Sequence, residues 1–313
     1  MKAAVVKKYG APEVAEFEEP HARDGQKVVD ILMAGLNPVD IILASGHIPA
    51  IALPLPGVVG MEGVGTMDGK RVYFSGAVSP FGSVAQRSLV DTASVFDVPE
   101  GLTNEQAITI GTAASTAYIA LSWRAKIQPG ENVIVLGATG AVGRMAVEAA
   151  KLLGAGRVIA AGRNEKVLES LKSVGADATV TLDGDVPSTV ARFVEASQGR
   201  VNVIIDLIWG PYATAALLAA SSGARLIAAG FAAAAETPFS PAVIMRQQAS
   251  IEGFAMLTVP VEVRRETYAK LAAYAFAGKL RLPTEVYTLA DLATAWDRQQ
   301  KSPNGKIIID MQQ

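Results

Sequence analysis

From Glu131 onward the sequence alternates short, β-branched apolar runs with longer stretches whose apolar residues recur three or four positions apart. That alternation confines the chain to a parallel sheet covered by helices, because parallel neighbours need a crossover and a helix supplies it. The strand-like runs are Asn132 to Leu136, Arg157 to Ala161, Ala178 to Leu182, Val201 to Ile208, Arg225 to Ala229 and Ser250 to Met256. Ala141 to Leu153, Glu165 to Val174, Pro187 to Ser197 and Pro211 to Ser221 carry the helical period between them. Six strands so connected fit a doubly wound α/β sheet.

The first hundred residues have another texture, with short strands punctuated by Gly and Pro and no long helical period before Asn104. A small β-rich domain is expected there. After Pro260 a helical stretch, Val261 to Ala277, leads to a strand-like tail, Lys306 to Met311, placed to return to that first domain. The expected division is residues 1–117, 118–258 and 259–313, the last segment completing the first. A chain of 313 residues with 50% apolar and 19% charged residues has enough apolar material for two cores.

Composition removes several function classes. A net charge of -2 provides no basic field for a phosphate backbone, so no nucleic-acid partner is expected. With no cysteine, thiolate nucleophiles, disulfides and thiolate metal sites are excluded. His21 and His47 are the only imidazoles, too few for an ordinary catalytic zinc, and no metal is expected. No apolar run approaches about 18 residues, and the opening MKAAVVKKYG is too short for a signal-peptide core, so the expectation is a cytoplasmic protein without a membrane partner.

The run NVIVL leads directly into Gly137-Ala138-Thr139-Gly140-Ala141-Val142-Gly143 and then a helix. Strand, glycine turn and helix together bring backbone N–H groups and a helix N-terminus to a pyrophosphate, the Rossmann arrangement for dinucleotides. In the G-x-G-x-x-G register Ala138 replaces the first glycine, while Gly140 and Gly143 keep the other two. At the end of the second strand, where NAD-binding proteins place an acid about 20 residues on, stands Gly162, followed by Arg163 and Lys166. Without a carboxylate to repel a 2′-phosphate, and with cations beside it, NADPH is the expected cofactor.

The segments MKAAVVKKYGAPEVAEFEEP, GLNPVDIILASG, PLPGVVGMEGVG, GATGAVG and SPNGKIIID, in this order over nearly the whole chain, resemble the quinone oxidoreductases of the medium-chain dehydrogenase/reductase superfamily. The resemblance implies a GroES-like catalytic domain closed by the C-terminal tail, a Rossmann domain, an active site in the cleft and a homodimer paired through the last Rossmann strand. In the superfamily's zinc-dependent branch the metal ligands would fall at Asn37, at Met61 beside Glu62 and near Thr112, none an ordinary zinc ligand. Asn37 is the implied substrate-side residue, its amide donating to an acceptor oxygen, while Asp40 is an expected structural acceptor.

His47, the second catalytic candidate, lines the pocket mouth or delivers a proton near neutral pH, or else lies free in a loop, between Ile42 and Ile48 where some relatives carry tyrosines. Leu182 likewise replaces a tyrosine found near the adenosine phosphate. Further cofactor contacts are implied for Thr116, for Gly230 and Phe231 after the fifth strand, and for Asn304 and Lys306 in PNGK. Trp209 and Tyr212 border the cofactor groove or pack, packing being the simpler assignment. The expected activity is metal-free, NADPH-dependent hydride transfer to a small electrophile, a quinone or enone. A reductase of enoyl thioesters and a non-catalytic NADPH-binding sensor are the alternatives.

Overall fold

Strands as continuously apolar as NVIVL are stable only when both faces are covered, and the central strands Asn132–Leu136, Arg157–Gly162 and Val203–Asp206 are covered in this way, while the edge strands Ala178–Thr181 and Ser250–Gly253 are largely half-buried. The computed structural model describes residues 1–313, which form two compact units: Met1–Thr112 with Val259–Gln313, and Ala113–Thr258. The two units are described separately.

In the second unit all six strands run parallel, in the order Ala178–Thr181, Arg157–Gly162, Asn132–Leu136, Val203–Asp206, Arg225–Ala228 and Ser250–Gly253. The order reverses between Asn132–Leu136 and Val203–Asp206, the switch point at which such sheets hold ligands. Val133 to Leu136 are completely buried. The crossover helices are Ala141–Leu152, Glu165–Leu171, Val186–Ser197 and Pro211–Leu218, with a fifth, Pro241–Gln247, which the apolar period does not mark, before the last strand. Two start at side-chain caps: Asn164 accepts the Val167 N–H and Asp185 the Ser188 N–H. The fourth strand is shorter than its apolar run because the Asp206 carboxylate accepts the N–H groups of Ile208 (3.0 Å) and Trp209 (2.8 Å), turning the chain out of the ladder.

The first unit is built on a seven-stranded sheet whose main path is Thr284–Thr288, Lys306–Asp310, Gln26–Leu36, Glu62–Met67, Lys70–Ser75 and Val95–Asp97. Arg87–Asp91 also pairs with Gln26–Leu36, and a separate three-stranded sheet holds Lys2–Val6. The tail strand Lys306–Asp310 lies antiparallel to Gln26–Leu36, with Ile307 opposite Leu36. Its isoleucines 307 to 309 have no exposed surface, and each contributes roughly 1.5–3 kcal/mol by leaving water. The first hundred residues also contain a helix absent from the periodicity, Pro38–Ser45, only two turns long and apolar nearly all round. No helix is long and apolar enough to cross a membrane.

Helix Ala141–Leu152 leaves the sheet so closely that a Cβ on Gly143 would stand 2.2 Å from the Gly137 carbonyl oxygen and 2.6 Å from Ala138 Cα. On Gly140 the nearest atom would be 3.6 Å away. Gly143→Ala is therefore expected to lower stability by about 1–3 kcal/mol, and Gly140→Ala by less than about 0.5 kcal/mol. Urea unfolding midpoints check this, and equal midpoints for the two variants would show that the helix does not pack at this distance.

Candidate functional site

Asn37 starts helix Pro38–Ser45 as an extended N-cap, and Asp40 in the first turn accepts its backbone N–H at 2.7 Å. That carboxylate takes over the start of the helix and leaves the Asn37 side chain to face inward. The Asn37 amide donates to Glu62 Oε1 (3.0 Å) and, at longer range, to the Gly35 carbonyl (3.4 Å), while its oxygen accepts from Lys306 Nζ (2.6 Å). Glu62, without exposed surface at the head of its strand, also pairs with the Lys306 ammonium through Oε1. Its Oε2 accepts from Tyr73 OH (2.8 Å) and from the Thr112 N–H (2.9 Å).

Thr112 has that N–H to offer because the helical path breaks at Gly111, whose ψ is -117°. Glycine is required at the break, where a Cβ would fall 2.3 Å from the Tyr73 ring. Tyr73 is in turn held by stacking on Tyr268, ring centroids 4.7 Å apart. Burial by itself would raise the Glu62 carboxyl, but the Lys306 ammonium and the Thr112 amide hold it below the usual carboxylate range. Burial, with the Glu62 charge alongside, pushes the Tyr73 phenol well above its ordinary value, so it remains a donor. Asp40 moves up to about 7: burial outweighs the Asn37 N–H and the more distant Lys306 charge, and Oδ1 has no partner.

In the second unit Gly137 has φ +80°, and the N–H groups of Gly137 and Ala138 both donate to the Ala161 carbonyl (2.9 Å each). The N-cap of the following helix is Gly140, which has no side chain to cap the first turn. The amides of Ala141, Val142 and Gly143 therefore point out of the helix without an internal acceptor, as an anion requires. Ala138 is buried, while Thr139, Gly140, Ala141 and Val142 are half-buried along the turn. A Cβ on Gly162 would stand 2.8 Å from Thr139 Cγ2, so packing as well as charge keeps a carboxylate away. Arg163 and Lys166 are exposed, and neither forms an ion pair.

Past the fourth strand the turn held by Asp206 places Trp209 at φ +61° and Gly210 at φ +78°. The left-handed region costs a bulky side chain about 1–2 kcal/mol. Burial raises Asp206 to about 6, against the two N–H groups it accepts. The Trp209 indole meets Phe239 edge-on, centroids 5.3 Å apart, and Tyr212 OH donates to the Leu182 carbonyl (3.1 Å).

Of the residues expected in the first unit, Asn37 and Lys306 come together, joined by Glu62, Tyr73 and Thr112. The Lys306 ammonium is 2% exposed, neither solvated nor free. His47 is exposed beyond the far end of helix Pro38–Ser45, about 12 Å of helix from Asn37, and does not join the cluster. Asn304 occupies a left-handed turn, its amide donating to the Ser302 carbonyl at 3.2 Å. In the second unit Thr116 is half-buried in helix Ser115–Ile119. Gly230 packs on Leu207, whose carbonyl oxygen would lie 2.3 Å from an added Cβ, while Phe231 is 50% exposed.

The sequence reading passed over Glu62 and Tyr73 as functional groups. A lone carboxylate inside the apolar, glycine-rich GVVGMEGVG is the signal that finds Glu62, since a buried charge needs a partner. No three His, Cys, Asp or Glu side chains stand together as a metal site would need.

Comparison with known proteins gives a consistent set of similarities. Residues 141–275 match the family described as zinc-binding dehydrogenase. Quinone oxidoreductase-like protein 2 of Rattus norvegicus is 29% identical over 244 residues, 74% of this chain and 68% of the relative. The quinone oxidoreductase of Homo sapiens is 27% identical over 87% of this chain and 85% of its own. Among solved structures, the quinone oxidoreductase from Thermus thermophilus, determined also as its complex with NADPH, superposes with a TM-score of 0.81 at 29% identity over 99% of this chain and 100% of that one.

Two variants test the buried cluster. Lys306→Met leaves the Glu62 charge without its counter-ion and should cost about 3–5 kcal/mol at neutral pH, less in acid, where the variant's buried Glu62, no longer held low by the ammonium, takes up a proton. Urea titrations at pH 7.5 and 5 measure this, and a variant as stable as the parent at pH 7.5 would contradict the buried pair. Asp40 acts with the opposite sign to an ordinary ion-paired carboxylate. Its raised value means that the folded state holds the proton more tightly, so stability is lost as pH rises from about 4 to about 7. In Asp40→Asn this decline should become shallower, the part due to Asp206 remaining, and an unchanged pH slope would remove Asp40 as its cause.

Proposed function

We propose, from the premise that this chain is an oxidoreductase of the quinone oxidoreductase type in the medium-chain dehydrogenase/reductase superfamily, that it reduces quinones or related α,β-unsaturated carbonyl compounds with NADPH. One observation carries the cofactor half of this reading. An uncapped helix N-terminus follows a glycine turn at the strand-order reversal, with Arg163 and no carboxylate at the end of the neighbouring strand. The open space at Gly140 and the outward amides of Ala141, Val142 and Gly143 suit a diphosphate.

NADPH, when bound, supplies hydride from C4 of its nicotinamide. Arg163 and Lys166, exposed and unpaired, are the groups proposed to hold the 2′-phosphate. Gly230 lets the backbone after the fifth strand lie close to the turn after the fourth, and Thr116, Phe231 and Asn304 are proposed as further cofactor contacts. Asn37 is proposed as a positioning residue on the acceptor side, since its amide already donates to Glu62 and Gly35. Hydride transfer to a conjugated carbonyl then needs a placed acceptor and one proton, which water can deliver. We assign no chemical step to His47. The outer strand Ser250–Gly253 offers an unpaired edge for the proposed homodimer.

The experiment is an anaerobic panel of quinones and enones followed by NADPH absorbance. Turnover of several acceptors supports the proposal, whereas tight NADPH binding with no turnover would leave a cofactor-binding protein and overturn it. Arg163→Ala should reduce the preference for NADPH over NADH roughly ten- to hundredfold, the value of one charge-assisted bond to phosphate. Binding constants for the two nucleotides in an unchanged ratio would remove Arg163 from the site.

A further inference from the structure

We propose that Trp209 is a wall of the cofactor's adenine subsite, its indole stacking on the purine ring. The inference rests on the NADPH reading above and extends it to a residue that the glycine turn and the cations do not include.

Four observations support it. Trp209 and Gly210 are consecutive residues with positive φ, and glycine would occupy the first of them without strain. Such a backbone persists only where the surroundings fix it, and here the Asp206 carboxylate accepts the N–H groups of both Ile208 and Trp209. The turn is thus held in a form that displays a large ring where a small residue would fold more easily.

The position is the second observation. Ile208, immediately before Trp209, reaches over the phosphate turn, its Cγ2 lying 2.8 Å from where a Gly137 Cβ would be. Residue 209 therefore borders the same groove. The third observation selects the end of the groove. Tyr212, in the helix that Gly210 precedes, ties its hydroxyl to the Leu182 carbonyl at 3.1 Å. Leu182 directly follows the third strand, which pairs with the second along Ala161 and Gly162, the side on which Gly162 and Arg163 mark the proposed adenosine phosphate site.

Fourth, the indole is only partly buried, and its one aromatic neighbour, Phe239, meets it edge-on at 75°. No ring of the chain stacks on it. A rigid, partly exposed indole beside an adenosine phosphate site is a stacking platform, and purine stacking tolerates such a surface without specific hydrogen bonds.

The test uses the full chain with NADPH, 2′,5′-ADP and reduced nicotinamide mononucleotide. Trp209→Gly should bind NADPH and 2′,5′-ADP about tenfold more weakly while leaving the mononucleotide, which lacks the purine, unchanged; Trp209→Phe should stay within a few-fold of the parent. A second readout separates stacking from packing. The chain has three tryptophans, so 2′,5′-ADP should quench indole fluorescence in the parent and in Trp123→Phe, and this quenching should be lost in Trp209→Phe.

Quenching that survives in Trp209→Phe overturns the inference, as does equal 2′,5′-ADP affinity in Trp209→Gly. Should the glycine variant fail to fold, the phenylalanine variant's fluorescence decides alone. If the parent binds neither NADPH nor 2′,5′-ADP, the cofactor reading itself falls and this inference with it. Parent binding with indifferent Trp209 variants removes only the inference.

Discussion

The ion pair between Glu62 and Lys306 joins positions 244 residues apart in a place without water. Taking either charge out of solvent costs several kcal/mol, and their attraction offsets this only when the remaining lone pairs and protons are satisfied. Around Glu62 that condition is met by Asn37, Tyr73 and the Thr112 amide, each from a different segment of the first unit. The space for the cluster comes from Gly35, where a Cβ would stand 2.8 Å from Glu62 Oε1 and 2.9 Å from Lys306 Cε. The pair thus acts as a check on assembly: strand Lys306–Asp310 buries its lysine without penalty only in the register that places Ile307 against Leu36.

Charge is handled in the opposite way in the second unit. Arg163 and Lys166 remain in water with no anion assigned to them, and the helix start at Ala141 has no side-chain cap. These positive groups lie along the carboxyl edge of the sheet, where the proposed NADPH would bring its phosphates. The carboxylate that ends the fourth strand, Asp206, is turned inward onto two backbone amides. Its charge organises the turn instead of opposing a phosphate.

How much of this was legible in the sequence depended on the range of the signal. The parallel unit was readable almost element by element, because each strand and helix there has its own period and its own start, as at Asn164 and Asp185. Helix Pro38–Ser45 was missed, since a two-turn helix that is apolar nearly all round has no amphipathic period. Its start was nevertheless encoded in Asn37, Pro38 and Asp40, an N-cap, an N1 proline and an acidic N3 residue. The partners of Asn37 were beyond any local pattern: Tyr73 reads as an ordinary strand aromatic, and Lys306 is reached only as a cofactor contact that the family resemblance implies. Only the closing of the sheet brings them together.

The same closure bears on the direction of the chemistry. Asn37, Glu62 and Thr112, at or beside which the family resemblance would place the metal ligands of zinc-dependent relatives, come together in one buried cluster, Asn37 and Glu62 on the Lys306 ammonium and the Thr112 amide on Glu62. An ammonium differs from a Lewis acid in having no vacant orbital, and this one directs its protons to Glu62 and Asn37. It is neutralised where it stands and cannot polarise a substrate oxygen or lower the pKa of an alcohol. With Asp40 half-neutral near pH 7, this part of the first unit carries little net charge. An interior of that kind fits the uncharged, electrophilic acceptor proposed for this chain, and the exposed Arg163 and Lys166 fit the proposed anionic cofactor.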